Sequence, residues 1–149
     1  MKHTNAAKIY KAVGAEAVLT EAEDLRKYLT GLSTSFGYVL SDAKGSVFYT
    51  DSRYLEGATA ALKDTDICVK QFTGSVEELL KDYKQVAIPF GRTLYPDFEK
   101  LKDTGVELID SLSAFTSAMS VKEGYELELI KKSCSIADKA FIALLDCIK

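Results

Sequence analysis

Two β-rich runs, Gly37-Tyr38-Val39-Leu40 and Ser46-Val47-Phe48-Tyr49-Thr50, flank the stretch Ser41-Asp42-Ala43-Lys44-Gly45. Strand formers on both sides of a short polar segment ending in Gly predict a hairpin, which commits part of any sheet to antiparallel pairing. Around it, apolar runs of strand length alternate with segments of helical period. Asn5 to Val13 carries Ala6, Ile9, Tyr10 and Val13 on one face and stops at Gly14. Ala17-Val18-Leu19 is a buried-strand run. Thr20, with Glu23 three residues on, predicts a capping box for a helix reaching Tyr28 or Leu29.

After the hairpin, Tyr54 to Leu62 predicts a helix and Asp66 to Phe72 a strand. Ser75 to Tyr83 predicts a helix capped by Ser75 and Glu78, followed by the buried strand Val86-Ala87-Ile88. Leu94 to Lys102, with Pro96 in its first turn, predicts a helix, and Val106 to Ile109 a strand. The order implies an α/β fold: a mixed sheet of about six strands flanked by helices, the hairpin antiparallel and the later βαβ units parallel. Ser111 to Ser120 is Ser/Ala-rich and predicts a connector. Beyond it Leu127, Ile130, Cys134, Ala137, Phe141, Leu144 and Ile148 recur at spacings of three and four, the stripe of one long C-terminal helix. Glu123 and Glu126 favour its positive end.

The 149 residues suffice for one ordinary core, and a net charge of −3 shows no basic excess that would suit nucleic acid. No apolar run reaches membrane-spanning length, and the first residues lead into no signal-type apolar region. Cys68, Cys134 and Cys147 are odd in number and lack CxxC spacing, so they predict buried or half-buried thiols in a reducing cytoplasm rather than a disulfide or zinc framework. The only histidine is His3, which leaves no internal His for a Ser-His-Asp triad or a Cys-His dyad. There is no P-loop and no GxGxxG.

Three segments, in order, carry a family resemblance. Tyr28-Leu29-Thr30-Gly31-Leu32-Ser33-Thr34-Ser35-Phe36-Gly37 is similar to a YLTGF-TGSxG stretch, and Thr50-Asp51-Ser52-Arg53-Tyr54 to a TDxRY signature followed by Glu56 and Ala58. Lys122 with Glu126-Leu127, then Ile136-Ala137-Asp138-Lys139-Ala140-Phe141, is similar to a K-x3-E-[IL] connector and the helix after it. Together they resemble the amino-terminal domain of the creatinase, prolidase and aminopeptidase P family, the pita-bread metallopeptidases acting on Xaa-Pro bonds. Leu32, Thr34 and Met119 depart from the family's usual Phe, Gly and Arg.

The resemblance implies that residues 1–120 form the creatinase/prolidase-type N-terminal domain. Residues 121–149 would be the connector and first helix of a catalytic domain absent from the chain, which would then be a truncated form of a longer protein. It implies two divalent metal ions (Mn, Co or Zn) held by Asp, His and Glu ligands in that following domain, with no catalytic and no metal-binding residue here. The implied partners are the chain's own catalytic domain, a second copy in a homo-oligomer such as a dimer, and in the parent a peptide substrate; no nucleic acid and no membrane are implied. Two other readings stay open: a non-enzymatic pita-bread interaction module, and the N-terminal domain of a creatinase-like amidinohydrolase.

Asp51, Arg53 and Tyr54 are the candidate site residues. As structure alone, Asp51 caps a helix or pairs with Arg53 while Tyr54 packs beneath. As function, the resemblance implies that they face a neighbouring subunit's active-site mouth, governing substrate access or subunit contact. Gly31 and Gly37 are read as positive-φ positions, and Phe36, Tyr38, Phe48 and Tyr49 as core or sheet-face rings. Pro89-Phe90-Gly91-Arg92 is a loop at the carboxyl edge, where α/β folds often bind ligands.

Overall fold

A computed structural model describes residues 5–148. Thirteen elements follow in chain order. They are α1 (Asn5–Val13), β1 (Ala17–Thr20), α2 (Glu23–Thr30), β2 (Tyr38–Asp42), β3 (Gly45–Thr50), α3 (Ser52–Leu62) and β4 (Ile67–Gln71). Then come α4 (Val76–Leu80), β5 (Gln85–Ile88), α5 (Tyr95–Asp103), β6 (Glu107–Asp110), α6 (Leu112–Ser120) and α7 (Gly124–Cys147). The sheet has six strands in the order β4-β3-β2-β1-β5-β6. β2 pairs antiparallel with both β1 and β3, and every other pairing is parallel. Five strands therefore run one way and β2 the other, the mixed sheet that the alternating pattern implies.

The hairpin turn is shorter than the Gly-ended loop of the sequence reading. Pairing reaches Asp42 opposite Gly45, leaving Ala43 and Lys44 as the turn. Lys44 N–H donates to Asp42 Oδ1 at 2.7 Å, and Gly45 takes φ 133°. A side-chain acceptor at the turn and a residue free to adopt positive φ let β2 run two residues further and β3 begin one residue earlier.

The core lies on the sheet. Ala17, Leu19, Leu40, Val86 and Ile88 from three strands meet Leu80 of α4 and Leu101 of α5. Phe48 is fully buried, whereas Tyr38 and Tyr49 are half-buried on a sheet face.

Four local readings need correction. The expected capping box at Thr20 and Glu23 does not form. Thr20 ends β1, buried, because the run Ala17–Thr20 is covered throughout, and α2 begins after Ala22 with no side-chain cap. Ser75 does precede α4, but its hydroxyl bonds the Glu77 side chain instead of capping the backbone. Ser111 to Ser120 is no connector: it contains α6, anchored by the buried Phe115. Asp110 Oδ1 accepts the Leu112 N–H at 2.9 Å, satisfying a donor that would otherwise be orphaned at the helix start. Finally, Cys68, Cys134 and Cys147 are all exposed, not buried. Cys68 stands on the edge strand β4, which has a neighbour on one side only.

The chain divides into two compact units, Met1–Ala118 and Met119–Lys149. The second is built on α7, 24 residues long. The Glu123 N–H donates to Glu126 Oε2 at 2.8 Å, so the carboxylate predicted to favour the helix start also closes it. The stripe residues Leu127, Ile130, Phe141 and Leu144 are exposed, and so are Leu129 and Ile136. At about 100° per residue the last two stand roughly a third of a turn from the centre of the stripe, so the exposed apolar surface of α7 is broader than the stripe itself.

Candidate functional site

The parallel strands end together along one edge of the sheet, where β2 begins. Two polar assemblies lie there. The first is built on the β3–α3 junction. Thr50 ends β3 fully buried, and its hydroxyl donates to the Phe36 carbonyl at 3.2 Å, tying the junction to the loop before β2. Asp51 then has extended backbone and caps α3, its Oδ1 accepting the Arg53 N–H at 2.9 Å. The Arg53 guanidinium turns back on the same carboxylate, with Nη2 2.7 Å and Nε 3.2 Å from Oδ2. Arg53 also lies 5.3 Å over the Tyr54 ring. The Tyr54 hydroxyl meets Ser35 Oγ at 3.1 Å and accepts the Ser35 N–H at 3.4 Å.

Charge follows this geometry. The side-chain hydrogen bonds from Arg53 hold the Asp51 carboxyl below its usual range, and the same bonds raise the Arg53 guanidinium. Hydrogen bonding from Ser35 lowers the Tyr54 phenol. The three candidate residues thus form one assembly with Ser35, solvent-facing and pre-organised. The cap and the ion pair expected at Asp51 are both present. Ser35 itself was not singled out by sequence reasoning: a serine in a loop carries no periodic signal, and only the fold of the chain brings it to Tyr54.

The second assembly is a cleft of 910 Å³ between the β1–α2 turn and the β5–α5 segment. From β1 the chain proceeds to β2 on one side and later to β5 on the other, so the cleft opens where the strand order reverses, the usual ligand position in α/β sheets. Its cations are Arg26, Lys27, Arg92 and Lys100, and its anions Glu21, Glu23, Asp24 and Asp97. Phe36, Tyr38 and Leu94 supply apolar wall. The loop Pro89–Arg92 contributes Arg92, whose Nη1 is 3.4 Å from Asp24 Oδ2.

At the cleft Arg26 is 4% exposed. Its Nη1 donates to the Glu21 carbonyl and its Nη2 to the Thr34 carbonyl. Burial lowers its basicity. Glu21 is pushed up to about 7, first by burial and then by Asp97, with Lys100 and Arg26 opposing. Sequence reasoning missed both. The available signal was Arg26 beside Leu25 and three residues before Leu29, an arginine on the buried face of α2. A buried Arg needs acceptors, and here the loop after the helix supplies one of them.

Gly31 and Gly37 frame that loop. Gly31 ends α2 at φ 75° and donates its N–H to the Lys27 carbonyl. Gly37 has φ 149°, and a Cβ there would lie 2.6 Å from the Phe48 ring and 2.7 Å from the Tyr49 carbonyl. Both are glycines for backbone reasons, as expected. Among the described residues no group of three or more His, Cys, Asp or Glu is placed to hold a metal ion, and no helix is long and apolar enough to cross a membrane.

The mixed six-stranded sheet, with polar assemblies along one edge, defines an α/β domain. The sequence model of the Creatinase/Prolidase N-terminal domain matches residues 2–118, and the chain belongs to that family. Among solved structures, the Xaa-Pro dipeptidase from Bacillus anthracis is similar at 22% identity and TM-score 0.84, over 97% of this chain and 42% of that one. The prolidase from Pyrococcus horikoshii OT3 is similar at 25% identity and TM-score 0.80, over 97% and 43%. The N-terminal domain of cytoplasmic peptidase PepQ from Mycobacterium tuberculosis H37Rv is similar at 21% identity and TM-score 0.59, over 75% and 92%. The chain spans less than half the length of the first two. No curated protein matches it in sequence.

Proposed function

We propose that this chain is the non-catalytic N-terminal domain of an Xaa-Pro aminopeptidase or dipeptidase, in which it shapes access to the catalytic cleft and makes subunit contacts. The observation that carries the reading is the family match over residues 2–118 in a chain spanning 42–46% of full-length dipeptidase and prolidase structures. Residues 1–120 are the domain proper, and 121–149 lead into the catalytic domain. That domain holds two divalent ions (Mn, Co or Zn), acts on a peptide substrate and covers the exposed apolar stripe of α7. The protein works in the cytoplasm as a homo-oligomer.

Asp51, Arg53 and Tyr54 face the active-site mouth of a neighbouring subunit in this reading. Their exposure and fixed geometry support it: a bidentate, stacked guanidinium is already ordered before any partner arrives, so little entropy is lost on contact. The test is Arg53→Ala in the two-domain protein. The expected result is a raised KM for Xaa-Pro substrate or a shift from dimer to monomer by sedimentation, with metal content unchanged. Unaltered kinetics and assembly would refute the assignment of these residues. A following segment whose metal ligands are broken would favour the interaction-module reading instead.

A further inference from the structure

β4 closes one side of the sheet: β3 pairs with its inner side, and among the described strands none pairs with its outer side. The ladder fixes what that side offers. Thr50 stands opposite Gln71, and the Phe72 N–H donates to the Thr50 carbonyl, so Cys68, Lys70 and Phe72 direct their main-chain groups at β3. Those of Ile67, Val69 and Gln71 point outward, a row of donors and acceptors that can template a further strand. The register is unbroken and β4 holds no proline to block one. Its single cation, Lys70, repels an incoming strand unless an acid stands opposite.

A second copy of the chain supplies that acid. A two-fold axis normal to the sheet sets the two β4 strands antiparallel, and only their outward residues can form hydrogen-bonded pairs. That leaves few registers. Centred on Lys70, two ammonium groups oppose each other. Centred on Val69, Lys70 faces Cys68; centred on Ile67, it faces the turn before the strand. Centred on Cys68, it faces Asp66, the residue immediately before β4, and the symmetry makes that ion pair twice. By strand alternation Asp66, Cys68 and Lys70 share a face, and Cys68 and Lys70 are exposed on it. Ile67 and Val69 then form the hydrogen-bonded pairs. The two Cys68 residues form a non-hydrogen-bonded pair with Cα atoms about 4.5 Å apart, a separation a disulfide can span. The opposite edge, β6, carries Glu107 and Asp110 and no cation, so two copies of it repel.

We propose that β4 is the docking edge for a second copy of this chain, the two strands pairing antiparallel about Cys68 and joining two six-stranded sheets into one. The inference rests on the homo-oligomer reading given above and names a surface for it apart from Asp51, Arg53 and Tyr54.

The test uses the 149-residue chain with Cys134→Ser and Cys147→Ser, which leaves Cys68 as its thiol. Sedimentation equilibrium measures assembly. Diamide, which takes up the two protons and two electrons given up as two thiols join, measures the register. The expected result is a reversible dimer that diamide converts to a disulfide-linked one. Lys70→Glu should weaken the dimer about tenfold, because it sets like charges opposite each other twice, and adding Asp66→Lys should restore it. Lys70 is exposed, so its variant folds. A monomer, a dimer that diamide leaves unlinked, or one indifferent to Lys70→Glu would each overturn the proposal; the second would assign self-association to another surface, such as the apolar stripe of α7. None of these results touches the catalytic-domain reading, which fails only on its own assay.

Discussion

The hydroxyl of Tyr54 lies 3.1 Å from that of Ser35, nineteen residues earlier in the chain. This contact joins the first turn of α3 to the loop that follows α2, and with it the two segments that most resemble family signatures. Because the Ser35 hydrogen bond lowers the Tyr54 phenol, removing it has a readable consequence. In Ser35→Ala the Tyr54 titration, followed by ultraviolet absorbance or by ring carbon shifts, moves up toward the ordinary tyrosine range. An unmoved titration would mean that the two hydroxyls do not meet in solution.

Glu21 gives a pH-dependent prediction. Its folded pKa of about 7 lies above the ordinary 4.5, so the folded state holds the proton more tightly than the unfolded one. The unfolded chain therefore binds fewer protons between pH 4.5 and 7, and stability falls as pH rises through that window. Glu21→Gln keeps the shape without the charge. It should stabilise the domain by about 1–2 kcal/mol at pH 8, after discounting for the partial exposure of Glu21, and by nearly nothing at pH 4.5. Denaturant midpoints at the two pH values check this. An equal gain at both would assign the effect to something other than the carboxylate.

Phe115 tests whether α6 belongs to the core. It is 1% exposed, and Phe115→Ala should cost about 3–5 kcal/mol. A loss below about 1 kcal/mol, measured by urea denaturation, would show α6 to be loosely attached.

Gly37→Ala combines a positive-φ penalty with a Cβ that meets the Phe48 ring and the Tyr49 carbonyl. The backbone strain alone is worth about 1–3 kcal/mol. By contrast Gly57→Ala, on α3 where a Cβ meets nothing, should be neutral or stabilising. Equal effects at the two positions would contradict the loop geometry.

The fold was legible where burial and period agree. The covered runs Ala17–Thr20 and Gln85–Ile88 and the alternating Gly45–Thr50 announce themselves because one or both faces are hidden. α6 was hidden by its composition: Ser and Ala suit a connector as well as a helix, and a single Phe115 carries its attachment. Thr20 looked like a cap because Glu23 follows at the right spacing, yet continued pairing with Val39 across the sheet kept it in the strand. At the site, Asp51 and Arg53 were readable because their partners are each other, two residues apart, with Tyr54 next in sequence under the guanidinium. Ser35, Glu21 and Arg26 were not, because their surroundings come from separate elements that only the sheet aligns.

The central claim, that this chain serves a catalytic domain and does not itself cleave peptide bonds, is tested most directly by assaying the purified 149-residue protein on Gly-Pro and on an Xaa-Pro-Yaa tripeptide, with Mn or Co added. A di-metal hydrolytic centre needs several carboxylate and imidazole ligands held together with an open position for water. No turnover above the metal-only blank is expected. Turnover that rises with protein concentration and is abolished by a chelator would contradict it.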